Sequence, residues 1–278
     1  MLGPLVLAAA LGAGAFAYDA SAPLATRYGA CSQRDGLRVC AIDFTSSAGR
    51  RIDGLLVRGR GNAPHPAVLF VHWLGDPKTT NHTEFENDAI ALGKRGVTSL
   101  LIDAMWSQPE WFDKIRGPET DYADSIAQVV DLRRSLDELL AQPGIDRARV
   151  AYVGHDFGAM YGAILAGVDA RPQWFVLMAG TTTLSEWYLL GKNPPDVKAY
   201  ISQMEPLDPP AYLARSSARG FYFQFASHDR YITSEHERAF YDAAPLPRTM
   251  ALYDADHSLA TPEASADRLA WLAEKLQL

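Results

Sequence analysis

Residues 149–158 read RVAYVGHDFG, and this stretch decides the fold. An apolar strand ends in the pattern G-x-D-x-G, and a helix is predicted over about residues 159–167. Glycines on both sides of the aspartate indicate a sharp turn that has no room for a Cβ atom and holds Asp156 in a strained backbone conformation. Such a turn would present the Asp156 carboxylate at the end of the sheet, beside the free amides of the helix N-terminus.

Three other segments carry polar side chains where a predicted strand ends. The strand GFYFQFASHD runs to Asp229, the strand ALYDADH runs to His257, and residues 67–75, AVLFVHWLG, run into His72. The carboxyl ends of parallel strands meet at one edge of an open α/β sheet. The sequence therefore predicts a site in which Asp156, Asp229 and His257 meet as nucleophile, acid and histidine, in that chain order.

These segments resemble the α/β-hydrolase superfamily from about Leu37 to the C-terminus. The elbow GHDFG resembles that of haloalkane dehalogenases and epoxide hydrolases, whereas the layout without a large cap resembles the dienelactone hydrolase group. The resemblance implies an α/β-hydrolase fold: a mostly parallel central sheet with helices on both faces, antiparallel N-terminal strands and a small lid. It also implies that backbone amides near Trp73 or Leu74, and that of Phe157, stabilise an oxyanion or leaving group.

Hydrophobic periodicity supplies the remaining elements. Antiparallel strands are predicted at residues 37–44 and 52–60, buried strands at 67–71, 98–102 and 174–178, and helices at 84–94, 121–141 and 263–276. The irregular residues 181–219 are rich in proline and aromatic side chains, and we expect them to form a small lid. His72, Trp187 and Tyr188 are the predicted pocket residues.

An aspartate in the nucleophile position changes the chemistry. A carboxylate is ionised at neutral pH and needs no base to activate it. Attack on an ester would give a reactive mixed anhydride, whereas displacement at a saturated carbon bearing a halide or epoxide oxygen gives an ordinary ester. Water deprotonated by His257, with Asp229 orienting the imidazole, would then hydrolyse the ester on Asp156.

The chain also departs from both families in its donors. Phe157 stands where haloalkane dehalogenases usually have a halide-binding tryptophan, and the indole of Trp73 is a candidate replacement. Epoxide hydrolases protonate the opening oxygen with cap tyrosines, for which Tyr188, Tyr200 and Tyr212 are the candidates.

Three functions stay open. The first is a hydrolase that works through a covalent ester on Asp156. The second is a dienelactone hydrolase-like esterase or lactonase in which Asp156 acts as a base for water. The third is a non-catalytic α/β-hydrolase-like protein that binds a small ligand or a protein partner.

The composition indicates which classes of partner to expect. The 278 residues suffice for one well-buried domain, and the net charge is −7 without a basic cluster, which argues against nucleic acid. We therefore expect a small-molecule substrate. His65, His82 and His236 show no metal-ligand spacing with carboxylates or cysteines, so we expect no metal, and no organic cofactor is implied. The sequence does not indicate an oligomeric state.

The N-terminal residues 1–17 form an apolar run that ends in Ala15-Phe16-Ala17, the small-x-small pattern of a signal peptidase site. The run is shorter than the roughly 20 residues of a membrane span. We expect a signal peptide at residues 1–17, cleavage after Ala17, and an α/β-hydrolase domain at residues 18–278. The protein would then be periplasmic or secreted, without stable membrane insertion once the signal is removed. An uncleaved anchor is the alternative.

Two cysteines, Cys31 and Cys40, flank the hairpin signal Asp35-Gly36. A hairpin would bring the two thiols opposite each other, and in an oxidising compartment they would form a disulfide. Its short loop limits the entropic stabilisation to about 2 kcal/mol. The alternative is a pair of small buried residues in a cytosolic protein.

Overall fold

The computed structural model describes residues 10–76 and 80–278 and arranges them around one mixed sheet. In this part of the chain the sheet has nine strands in the order β1-β2-β3-β5-β4-β6-β7-β8-β9. The strands are β1 (Arg27–Arg34), β2 (Leu37–Thr45), β3 (Arg51–Val57), β4 (His65–Val71), β5 (Thr98–Ile102), β6 (Ile145–His155), β7 (Trp174–Met178), β8 (Gly220–Ala226) and β9 (Arg248–Tyr253). β1 pairs antiparallel with β2, β2 with β3, and β3 with β5. The other neighbours in this order, from β5 through β4 to β9, pair parallel, as predicted.

Helices surround the sheet. They are α1 (Glu86–Gly93), α2 (Asp121–Ala141), α3 (Phe157–Val168), α4 (Leu184–Tyr188), α5 (Val197–Met204), α6 (Pro209–Leu213), α7 (Ser234–Ala243) and α8 (Pro262–Lys275). The bounds of α2 coincide with the prediction because its apolar residues recur at helical spacing and are buried, among them Val129, Leu132, Leu136 and Leu139. α2 packs against α3 and α1 against α8, and both pairs also contact the sheet.

The hairpin of β1 and β2 contains the predicted disulfide between Cys31 and Cys40, which lie opposite each other in the strand register. The turn residues Asp35 and Gly36 both have positive φ, 53° and 76°. This is the conformation that two-residue hairpin turns favour and that the Asp-Gly pair indicated.

Part of the predicted signal peptide belongs to the folded domain. Residues 1–9 lie outside the described residues, but Phe16 is completely buried and its ring meets that of Tyr212 edge-on at 5.9 Å. Arg133 donates a hydrogen bond of 2.7 Å to the Phe16 carbonyl oxygen. Cleavage after Ala17 would remove both of these contacts. No helix among the described residues is both long and apolar enough to cross a bilayer.

The lid segment, residues 181–219, contains α4, α5 and α6 and is fixed to the sheet domain by a buried ionic group. Arg116 donates hydrogen bonds to the Tyr188 carbonyl oxygen at 2.8 Å and the Lys192 carbonyl oxygen at 3.0 Å, and its guanidinium pairs with Asp121 at 3.4 Å. The Tyr200 hydroxyl donates to the same Asp121 carboxylate at 2.7 Å. Arg116, just before α2, and Asp121, its first residue, therefore anchor the part of the lid between Tyr188 and Tyr200.

Candidate active site

The elbow, residues 154–158, has the strained geometry that its glycines indicated. Asp156 adopts φ 55° and ψ −115° between the end of β6 and the start of α3. A Cβ atom on Gly154 would collide with the Gly158 carbonyl oxygen, and one on Gly158 would collide with the Val71 carbonyl oxygen. Because backbone atoms cannot give way as a flexible side chain can, both positions require glycine.

The structure brings the three predicted catalytic residues together. His257 Nδ1 lies 2.7 Å from Asp229 Oδ2, and His257 Nε2 lies 4.0 Å from Asp156 Oδ1. The other oxygen of Asp229 accepts hydrogen bonds from the amides of Tyr231, at 2.8 Å, and Ile232, at 3.1 Å. Burial raises the pKa of Asp229, but its hydrogen bond and charge interaction with His257 outweigh burial and leave the pKa below its usual value.

The Asp156 carboxylate is held in an asymmetric way. The Leu74 amide donates to Oδ2 at 3.0 Å, whereas Oδ1 is buried without a hydrogen-bond partner among the described residues. Burial raises the pKa of Asp156 to about 7, against the lowering effects of His257, the Leu74 amide and the Trp187 indole. The indole faces the carboxylate but makes no hydrogen bond of good geometry with Oδ1.

The backbone amides predicted to bind an oxyanion differ in whether they are free to do so. The Leu74 amide points at Asp156, but the amide of Trp73 donates to Glu84 Oε2 at 2.9 Å and is not available to a reacting group. Phe157 is the first residue of α3, where the backbone amide has no partner within the helix, and its side chain is completely buried. Leu74 and Phe157 therefore remain the candidate amide donors.

His72 does not line the pocket, in contrast to the prediction. Its side chain is 1% exposed; the Ala104 amide donates to Nε2 at 3.2 Å, and Nδ1 lies 2.7 Å from the Trp73 carbonyl oxygen. Because an amide can only donate, Nε2 is the acceptor and Nδ1 carries the proton. Burial also lowers the pKa of His72, so the neutral ring fixes the turn that carries Leu74.

A cavity of about 280 Å³ opens directly onto the triad. Its walls are mainly apolar and consist of Trp73, Leu74, Phe112, Asp156, Trp187, Leu190, Tyr231 and His257. A second cavity of about 320 Å³ shares Trp73, Tyr231 and His257 with the first and extends to the exposed Arg230. Phe112, Leu190 and Tyr231 were not among the predicted pocket residues. Tyr231 had one available signal, because it lies two residues after the acid Asp229.

None of the three lid tyrosines considered as proton donors reaches this cavity. Tyr188 is completely buried and shares a 2.5 Å hydrogen bond with the Tyr161 hydroxyl, which corrects its predicted pocket position. Tyr200 donates to Asp121, and Tyr212 donates to the Pro206 carbonyl oxygen at 2.8 Å. The phenol that does line the cavity is Tyr231, whose ring meets that of His257 edge-on at 5.1 Å.

Within residues 10–76 and 80–278, no group of three or more His, Cys, Asp or Glu side chains is arranged to hold a metal ion.

Comparison with known proteins assigns the chain to a family and finds structures with a similar fold. A model of the FrsA-like esterase family matches residues 11–180. The fold is similar to that of the acetyl xylan esterase from Paenibacillus sp. R4, with a TM-score of 0.76 and 16% identity over 95% of this chain and 92% of the other. A putative dienelactone hydrolase from Klebsiella pneumoniae subsp. pneumoniae is similar with a TM-score of 0.62 and 16% identity, over 86% and 98% of the two chains. A search of curated proteins finds no significant match.

These findings confirm two predictions. The structural similarities confirm the α/β-hydrolase fold with its dienelactone hydrolase-like layout, and the family match confirms that the protein is a hydrolase. The non-catalytic alternative has no support from the family match.

Proposed function

Since the chain belongs to the FrsA-like esterase family, we propose that it hydrolyses a small organic substrate through a covalent ester on Asp156. The electrophile is a saturated carbon bearing a halide or an epoxide oxygen. The observation that carries this proposal is the asymmetric carboxylate, with Oδ2 bound by the Leu74 amide and Oδ1 unpaired in the cavity.

In the first step Asp156 Oδ1 attacks the carbon. The new C–O bond forms as the carbon–halide or epoxide C–O bond breaks. A halide departs with the electron pair, whereas the epoxide oxygen keeps the pair, stays attached to the neighbouring carbon and takes a proton. Attack converts a buried charged carboxylate into a neutral ester. Burial that raises the pKa of Asp156 to about 7 therefore also favours alkylation of its ionised form.

In the second step water hydrolyses the ester. His257 Nε2 takes a proton from water, and the hydroxide attacks the carboxyl carbon of Asp156, placing the negative charge on Oδ2 beside the Leu74 amide. Collapse breaks the acyl–oxygen bond and the alcohol leaves with the original Oδ1, protonated by His257. Release of the remaining water proton to solvent restores the Asp156 carboxylate. The Nδ1 hydrogen bond to Asp229 stabilises the imidazolium between the two proton transfers.

Trp187 is the leaving-group donor that the geometry favours. Its indole lies close enough to the Asp156 carboxylate to lower the pKa of that group, and the residue, 6% exposed, lines the cavity. The indole of Trp73, the donor suggested by sequence, belongs to a ring stacked on His155 at 5.2 Å. An epoxide would need a proton for its oxygen, and Tyr231 is the lining phenol that would supply it.

A single turnover in heavy-oxygen water tests the covalent ester. With enzyme in excess over substrate, the first label should appear in the peptide that contains Asp156, because acyl–oxygen cleavage leaves the water oxygen on the carboxylate. Asp156→Asn is the control and should take up no label. Label that appears in the product alcohol alone would contradict the proposal.

The esterase alternative is favoured by the family match. In that mechanism Asp156 is a base for water, and the 4.0 Å gap between His257 Nε2 and Asp156 Oδ1 is wide enough for a shared water. Against it, the Leu74 amide that an ester carbonyl would need is already bound to Asp156 Oδ2. Turnover of p-nitrophenyl esters and lactones by wild type, lost in Asp156→Asn without any trapped adduct, would support the alternative.

We further propose that the protein is exported to a periplasmic or extracellular compartment. The support is the disulfide between Cys31 and Cys40, since such bonds persist in oxidising compartments. The packing of Phe16 favours retention of residues 10–17 with the domain. Intact mass measurement of protein purified from each cell fraction tests both points: a cytosolic protein with two free thiols would contradict export.

A further inference from the structure

Two side chains outside the triad connect the three loops that carry the reacting groups. Glu84 accepts the Trp73 amide through Oε2 at 2.9 Å, and its Oε1 lies 2.7 Å from His155 Nδ1. His155 Nε2 in turn lies 3.0 Å from the carbonyl oxygen of His257. This Glu84–His155 pair therefore joins the loop before α1, the elbow and the loop of the catalytic histidine.

The protons of this chain of hydrogen bonds follow from what each atom can do. The His257 carbonyl oxygen can only accept, so His155 Nε2 must carry a proton. Glu84 already accepts the Trp73 amide, and a further proton lies between its Oε1 and His155 Nδ1. Glu84 thus binds His155 through Nδ1 while Nε2 of His155 donates to the His257 carbonyl oxygen.

The Glu84–His155 pair acts next to two groups of the site: Glu84 binds the residue before Leu74, and His155 is itself the residue before Asp156. Trp73 precedes Leu74, whose amide holds Asp156 Oδ2, and His155 precedes Asp156 itself. His155 is completely buried, and its ring stacks on Trp73 at 5.2 Å with an angle of 11° between planes. Since His155 has no exposed surface, it acts through its neighbours and not on the substrate.

We propose that Glu84 and His155 are positioning residues for hydrolysis of the covalent ester, an inference that rests on the proposed function. Alkylation uses Asp156 Oδ1 and a leaving-group donor on the lid. Hydrolysis requires more: the Leu74 amide, the carboxyl carbon of Asp156 and His257 Nε2 must converge on one water. The pair fixes the two loops that supply the amide and the imidazole, so its loss slows the second step more than the first.

The test measures both steps in His155→Phe and Glu84→Ala. Phenylalanine retains a ring against Trp73 but makes neither hydrogen bond. We expect the alkylation burst to remain within about fivefold of wild type, while steady-state turnover falls about 10²-fold and the alkylated protein accumulates. A loss of folded enzyme alone would lower the burst amplitude and the turnover equally.

Two further variants separate positioning from general damage. Glu84→Gln can accept the Trp73 amide and donate to a neutral His155, which still donates to His257, so it should remain within about fivefold of wild type. His65→Phe is the matched control, because the His65 ring also makes a hydrogen bond, of 2.8 Å to the Gly96 carbonyl oxygen, but lies at the start of β4 away from the site. It should leave both steps unchanged.

His257→Ala distinguishes failure of this inference from failure of the function. If His257→Ala accumulates adduct while His155→Phe and Glu84→Ala turn over at the wild-type rate, the positioning role is wrong and the covalent mechanism stands. If His257→Ala forms no adduct, the covalent mechanism fails. Turnover of p-nitrophenyl esters then tests the positioning role. That role is supported only if His155→Phe and Glu84→Ala hydrolyse these esters slowly while Glu84→Gln and His65→Phe do not slow down.

Discussion

The elbow, residues 154–158, and the lid, residues 181–219, meet at one carboxylate but are built in opposite ways. The elbow is completely enclosed, with backbone carbonyl oxygens that exclude any Cβ at Gly154 or Gly158. The lid consists of short helices, and its pocket residue Leu190 is 60% exposed. The reacting oxygen is thus fixed by the sheet, whereas substrate contacts come from a segment held by a few anchors. Reaction type should be sensitive to the elbow, and substrate choice to the lid.

The strongest test of this division is Asp156→Asn. The amide keeps the shape of the side chain but is not a nucleophile, so turnover should fall by about 10⁴-fold or more while the fold is retained. Steady-state kinetics and a thermal melt measure the two effects. A variant that keeps substantial activity would place the reacting group outside the elbow.

The same carboxylate should destabilise the folded protein at neutral pH. Its folded pKa of about 7 lies above the unfolded value, so below about pH 4 both states are protonated and there is no effect. As the pH rises from 4 to 7, the unfolded chain releases the proton first and the free energy of unfolding falls, by up to about 4 kcal/mol. Asp156→Asn should therefore be more stable than wild type at pH 8 and nearly equal at pH 4.

Urea denaturation at the two pH values measures this difference. Asp113→Asn is the control for removal of a carboxylate, because Asp113 is exposed and far from the elbow in sequence. Enzyme activity should follow the same group with the opposite sign, since kcat/KM rises as Asp156 ionises near pH 7. A stability difference that is the same at both pH values would show that folding does not raise the pKa of Asp156.

On the lid side, the largest expected effect comes from Phe16. It packs on Tyr212 of α6, and the Tyr212 hydroxyl accepts the Leu11 amide at 3.2 Å, so the N-terminal segment supports the base of the lid. Phe16→Ala should lower the free energy of unfolding by about 3 kcal/mol, and Phe16→Leu by about 1 kcal/mol. Equal stability of all three proteins in urea would mean that this segment is dispensable for the fold, as cleavage after Ala17 requires.

The features that the sequence predicted correctly depend on interactions between residues close together in the chain, whereas the features it missed depend on contacts between distant segments. The elbow, the disulfide hairpin and α2 were predicted because a turn, a two-residue loop and helical periodicity are local constraints. Trp187 and Tyr188 are neighbours in the single turn of α4, yet one lines the cavity and the other is buried on Tyr161. Which of them faces the substrate depends on how α4 docks. Likewise, the Trp73 amide is taken by Glu84, a contact that neither sequence pattern nor spacing signals.

The smallest expected effect tests how the lid contributes to chemistry. Trp187→Phe removes the indole N–H beside Asp156 but keeps an aromatic ring against Phe157, which Trp187 meets edge-on at 6.5 Å. If the indole binds the leaving group, alkylation should slow by about 10- to 10²-fold, while hydrolysis of the adduct should hardly change, because that step uses His257 and Leu74. Rapid measurement of halide release and of the adduct separates the two rates. Tyr231→Phe is the matched variant at the ring that packs edge-on against Trp187 at 5.8 Å: it should leave haloalkanes unaffected and slow epoxides, because only the epoxide oxygen needs a proton. The contrary result is an equal loss of alkylation rate for haloalkanes and epoxides in Trp187→Phe and no loss in Tyr231→Phe. It would mean that the indole positions the Asp156 carboxylate and does not bind the leaving group.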